Sequence, residues 1–78
     1  MRVFTRNELS RYDGTNGVSY VAYRGKVYDV SGSFQWGSGV HQVTHHAGRD
    51  LTREMERAPH GVQLLSRFPV VGWLTREP

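Results

Sequence analysis

The 78-residue chain contains no cysteine. That absence excludes a disulfide framework, a thiolate zinc site and an iron–sulfur cluster. Long apolar runs are missing too. No stretch approaches the roughly 18 residues of a membrane span, and the opening MRVFTRNELS has no apolar signal core, so the chain reads as soluble, not exported by a signal of its own, and cytoplasmic. Lysine is almost absent, with Lys26 the single lysine among ten basic residues. The net charge of +3 is mild, and both signs alternate through Arg49, Asp50, Arg53, Glu54, Glu56 and Arg57. Such alternation suits a solvated helix face with i,i+4 pairing, not a basic track with interleaved aromatics, so no nucleic-acid partner is expected.

What remains is enough for one small core. At this length a single domain over residues 1–78 is expected, burying about 60–65% of its unfolded surface, close to the limit of independent stability. A ligand that binds only the folded state would supply stability such a chain lacks.

Thr5 stands three residues before Glu8, the spacing of a capping box, and predicts a short helix from about Asn7 to Arg11. DGTNG (13–17) is a turn. In VSYVAYRGKVYDVSG the β-formers Tyr20, Val21, Tyr23, Val27, Tyr28 and Val30 flank Arg24-Gly25, which predicts a hairpin with one buried face. The glycine-rich stretch 31–39 carries Phe34 and Trp36, placed either to seal one end of the core or to wall a pocket. Helical patterning follows from His41 to Gly48, then from Asp50 or Thr52 to Ala58, ahead of Pro59. A third helix puts Val62, Leu65 and Phe68 on one face with Leu64 beside them and ends before Pro69; PVVGWL is a closing strand.

All four histidines (His41, His45, His46 and His60) fall within twenty positions. His41 and His45 are four apart and share a helix face, yet a hydrolytic zinc motif of the HExxH kind needs glutamate where the chain has Gln42. No catalytic constellation emerges, and the chain is not read as an enzyme. His60 sits between Pro59 and Gly61 at a corner between helices. A His-bearing helix leading to a capped helix that ends on a second His makes a V with an imidazole on each side. A flat group that takes two imidazoles across an apolar slot is haem.

YVAYRGKVYDVSGSF, HHAGRDLT, APHG and FPVVG, in that order between Val3 and Leu74, closely resemble the cytochrome b5-like haem-binding family, in its short prokaryotic haem/steroid-binding branch. The resemblance implies an α+β fold: a small twisted β-sheet floors the domain, and short helices form a pocket clamping haem b between axial histidines. Counting from the Asp50 of AGRD places His60 on the family's second iron ligand. The family's His-Pro-Gly-Gly motif, which usually carries the first, is absent. A gap-free overlay sets WGSG there with Trp36 on the ligand position, and Trp cannot ligate iron. The first ligand then falls to His41, directly after the glycine loop, with His45 the alternative, able to reach the iron or a propionate; His46 is rotated off the shared face. Trp36, Val43, Leu64, Leu65 and Phe68 are the expected walls.

Two axial imidazoles leave iron no open position, which implies electron transfer with a redox partner protein; a +3 chain suits an acidic one. The alternative is a haem carrier or sensor in which one histidine leaves readily. No steroid recognition is read from these residues.

Overall fold

A computed structural model describes residues 1–31, 47–57 and 59–77, with Pro59 and His60 described as backbone. Among the described residues seven elements follow in chain order: β1 (Arg2–Phe4), α1 (Arg6–Ser10), β2 (Tyr20–Tyr23), β3 (Lys26–Asp29), α2 (Thr52–Glu56), α3 (Pro59–Leu65) and β4 (Val70–Leu74). The four strands form one sheet in the order β1-β4-β3-β2, with β1 parallel to β4 and the other neighbours antiparallel. This is the small mixed sheet with short helices that the resemblance implies.

The hairpin forms where Arg24 and Gly25 both take positive φ, 48° and 80°. A two-residue turn of this handedness matches the right-handed twist of the strands it joins. Arg24 is the costly member, since a residue with a Cβ resists that region. Three contacts hold it: its amide donates to Thr52 Oγ1 (2.9 Å), its guanidinium pairs with Glu56 (3.8 Å), and the neighbouring Gly25 carbonyl accepts from the Leu74 amide (2.8 Å). The turn is thereby tied to α2 and to β4.

Strand alternation divides the core. Val21 and Val30 face one side and join Ala47, Leu51, Met55, Leu65 and Phe68; Ala22 and Val27 face the other and join Phe4 and Leu9. On the second side Tyr12 and Tyr20 stack at 4.5 Å, Phe4 meets both edge-on, and the Arg2 guanidinium lies 4.4 Å from the Phe4 ring centroid. Such ring pairs add to what burial alone supplies.

The predicted capping box is present: Thr5 Oγ1 accepts from the Glu8 amide (3.1 Å), and Glu8 Oε1 accepts from the Thr5 amide (2.9 Å). It starts α1 one residue earlier than expected. Other boundaries moved as well. Strand β1 was not anticipated, because three residues are too few to show alternation. Helix α2 stops at Glu56 instead of Ala58, with Arg57 as C-cap. Pro59 begins α3, a position where its missing N–H costs nothing. The helix expected over 41–48 lies mostly outside the described residues; its last two members, Ala47 and Gly48, form a turn in which Gly48 has φ +86°.

Gly72 sits in β4 between β1 and β3, and a Cβ there would overlap the Arg2 carbonyl oxygen and come within 2.7 Å of the Phe4 ring. Gly72→Ala is expected to cost about 1–3 kcal/mol by urea denaturation, whereas Gly25→Ala, where no atom stands in the way, costs only the strain of its positive φ. The capping hydrogen bonds from Thr5 hold the Glu8 carboxyl below its ordinary pKa. A depressed folded-state pKa means stability is fully present above the ordinary carboxylate range and is lost as pH falls through the lowered one. Glu8→Gln should therefore reduce the slope of melting temperature against pH on the acid side and leave neutral pH dependence unchanged.

Candidate functional site

The site is built from the edge of the sheet outward. Residues 48–51 run parallel to β2: the Tyr20 carbonyl accepts from Gly48 N (2.6 Å), the Arg49 carbonyl accepts from Ala22 N (3.0 Å), and the Ala22 carbonyl accepts from Leu51 N (2.8 Å). The edge of β2 is thus covered over this stretch, and the chain leaves it in the register that starts α2. Three residues of AGRD have a reason here. Ala47 is buried in the first core side, and Gly48 combines positive φ with a Cβ direction lying 3.2 Å from both the Ser10 carbonyl oxygen and Asp13 Cβ. Asp50 Oδ1 accepts from Thr52 N (3.1 Å) and Thr52 Oγ1 (2.6 Å), closing the first turn of α2 that Leu51, the N-cap, cannot close with its own side chain.

Helix α2 buries Met55 and delivers the chain to Pro59. Helix α3 follows with Leu65 buried at its end, Phe68 just beyond at 9% exposure, and Val62 and Leu64 half-buried against the same cluster. With Val21 and Val30 from the sheet and Tyr23 and Tyr28 beside them, these residues form a continuous apolar wall. His60 is the second residue of α3, at the margin of that wall in the chain. Burial raises the Tyr28 pKa, so its hydroxyl stays neutral near the wall at physiological pH. An apolar wall of aliphatic and aromatic side chains is chemistry for a flat, greasy ligand, and among the described residues no group of three His, Asp or Glu could hold a bare metal ion.

Of the residues singled out from sequence, Leu64, Leu65 and Phe68 come together on this wall. Trp36, His41, Val43, His45 and His46 lie outside the described residues, as does Phe34. Sequence reasoning missed the floor: Val21, Val30, Tyr23 and Tyr28 belong to the wall, and the alternation of the hairpin carried that signal. The alternating charges did not pair along their own helix. Instead Arg49 reaches Glu54 (3.5 Å) and Arg24 of the hairpin turn reaches Glu56. Among the described residues no helix is long and apolar enough to cross a membrane.

Comparisons place this geometry among known proteins. The family model described as "Cytochrome b5-like Heme/Steroid binding domain" matches residues 5–75. A solved cytochrome b5 domain protein from a Hadesarchaea source is similar over 96% of this chain and 100% of its own, at 62% identity and a TM-score of 0.79. Another, from Methanococcoides burtonii, is 50% identical over 96% of this chain and 99% of its own, with the same TM-score. No curated protein matches the chain.

Asp50→Ala should lower stability by about 0.5–2 kcal/mol through loss of the α2 cap. Asp50→Asn keeps an acceptor oxygen and should recover most of that loss in the same thermal melt.

Proposed function

Because the chain belongs to the cytochrome b5-like haem/steroid-binding family, we propose that it binds haem b through His60 and a second axial histidine, His41, and works as an electron-transfer protein. The observation that carries this reading is the apolar wall of Val21, Val30, Val62, Leu64, Leu65 and Phe68, built beside the helix that begins Pro59-His60. The residues fit the group: the half-buried rim of the cluster, Tyr23, Tyr28, Val62 and Leu64, is apolar and aromatic, and the chain carries four imidazoles as nitrogen donors for iron.

When bound, haem supplies a one-electron iron couple. The chain's own part is to bury and orient that group. Leu64 and Phe68 would pack against one edge of it, with Trp36 and Val43 supplying further wall. His60, at the start of α3 behind the fixed φ of Pro59, would hold one axial position with little backbone freedom to lose. His45 is the alternative first ligand or a propionate neighbour. By excluding water, these residues would favour the less charged redox state of the bound group and so raise its potential. If His60 and a second histidine both held the iron, no position would be left for a substrate, which favours a carrier of electrons over a catalyst. A +3 chain favours an acidic redox partner, in the cytoplasm. The missing His-Pro-Gly-Gly motif favours one further reading, a haem carrier or sensor whose first histidine is displaceable.

Visible spectra of the chain purified with haem supplied test all of this. Wild type should be low-spin in both oxidation states, and His60→Ala should lose stable low-spin haem and melt at a lower temperature, as ligand stabilisation disappears. His41→Ala should give a high-spin spectrum, and His45→Ala should stay low-spin with weaker affinity or a shifted potential. High-spin iron in His45→Ala alone would move the first ligand to His45. Ready CO binding by the wild type would favour the sensor reading, and a colourless protein or an unchanged spectrum in His60→Ala would overturn the assignment.

A further inference from the structure

Among the described residues Arg24 alone, glycines aside, has a positive φ, at 48°. Asparagine or glycine fills the first place of such a two-residue turn with less strain, so an arginine held there points to a use beyond the turn. Its contacts show one.

Arg24 touches α2 at both ends. Its amide donates to Oγ1 of Thr52, the first residue of the helix (2.9 Å), and Thr52 Oγ1 in turn donates to Asp50 Oδ1 (2.6 Å), so the hairpin turn joins the cap of α2 in one directed chain of hydrogen bonds. The Arg24 guanidinium Nε lies 3.8 Å from Oε1 of Glu56, the last residue, and its Cζ lies 5.8 Å from the ring centroid of Tyr23, on the rim of the apolar wall. A helix of five residues does not hold itself in water, so contacts from outside must set its direction. Met55 anchors its body in the core, and Arg24 ties down the two ends. The amide contact would survive replacement of the side chain; the contact with Glu56 would not. Four positions after Glu56 comes His60.

We infer that Arg24 is a positioning residue for the iron ligand His60: by holding the far end of α2 it sets where the chain enters α3, and the strained backbone is retained for that purpose. This role rests on the haem reading above. Both partners of the ion pair are exposed, so the effect of losing it is about two- to fivefold in the rate of haem release, and not loss of the group.

The test follows transfer of haem to excess apomyoglobin from the haem-loaded full chain and from Arg24→Asn, Arg24→Lys, Glu56→Gln and the Arg24→Asn/Glu56→Gln pair. Asparagine accepts the left-handed turn, so Arg24→Asn without haem should melt no lower than wild type, while its haem leaves about two- to fivefold faster at low salt. A purely structural loss would lower both. Glu56→Gln should match that acceleration, the double variant should exceed neither single one, and Arg24→Lys, which keeps the cation, should stay within about twofold of wild type. Raised salt should close the gap between wild type and Arg24→Asn, since it screens an exposed pair. Additive effects of the two single variants, or release from Arg24→Asn at the wild-type rate, would overturn the role; should Arg24→Asn fail to fold, Glu56→Gln and its salt response decide. Exchange of the Arg57 amide, which donates to the Glu54 carbonyl at the end of α2 (3.3 Å), reads the clamp without haem and should quicken in Arg24→Asn. Quickened exchange with unchanged haem release would mean that Arg24 holds α2 without positioning His60, whereas a colourless wild type would sink the haem reading and this role with it.

Discussion

The pairing of residues 48–51 along the edge of β2 is the constraint on which the rest depends. Three hydrogen bonds of 2.6–3.0 Å fix where the chain crosses from the sheet to the helices. Were that strand edge free, it would offer unpaired N–H and C=O groups to other chains, and α2 would have no defined starting point. Because the register is set there, Asp50 arrives where it can cap α2, Met55 arrives on the core side, and Pro59 opens α3 one short step later. The hairpin turn reinforces the arrangement, as Arg24 reaches Thr52 from the other end of the same edge strand. The place of His60 in the chain follows from these backbone hydrogen bonds together with Pro59, which opens α3.

Two apolar clusters back the two faces of one thin sheet, and they have different characters. The face bearing Phe4, Leu9, Tyr12 and Tyr20 is closed by α1 and locked by aromatic edge contacts and an arginine. The face bearing Val21 and Val30 combines aliphatic residues with Met55 and Phe68, and its neighbours Tyr23, Tyr28, Val62 and Leu64 are partly covered. The Phe4 face likewise keeps four side chains partly covered at its rim, Tyr12, Tyr20, Val71 and Leu74, so apolar surface borders both cores.

Much of this was legible in the chain. The capping box, the Arg24-Gly25 turn and the closing strand were all readable, since each is specified by residues within a few positions of one another. Strand β1 escaped because its place is decided by Gly72 and Trp73, some seventy positions away, and not by its own three residues. The ion pairs escaped for the same reason: Glu56 finds Arg24 across the fold although Arg53 is its neighbour at helical spacing. Of the candidate site, Leu64, Leu65 and Phe68 were visible through helical periodicity. The sheet's contribution, Val21 and Val30, was hidden in plain alternation, which says that one face is buried but not beneath what.

The position of β4 between β1 and β3 bears on how the molecule comes into being. A chain made from its N-terminus exposes the hairpin and α1 early, yet the strand that joins β1 to them is Val70–Leu74. Until that segment leaves the ribosome, β1 has no partner and the face that Phe4 occupies stays open. Such long-range closure is slow compared with local helix or hairpin formation, so assembly is gated by its final step. Newly made chains would pass through a stage in which α2 and α3 exist without a finished floor, and the moment of commitment to the native topology belongs to five residues of sequence.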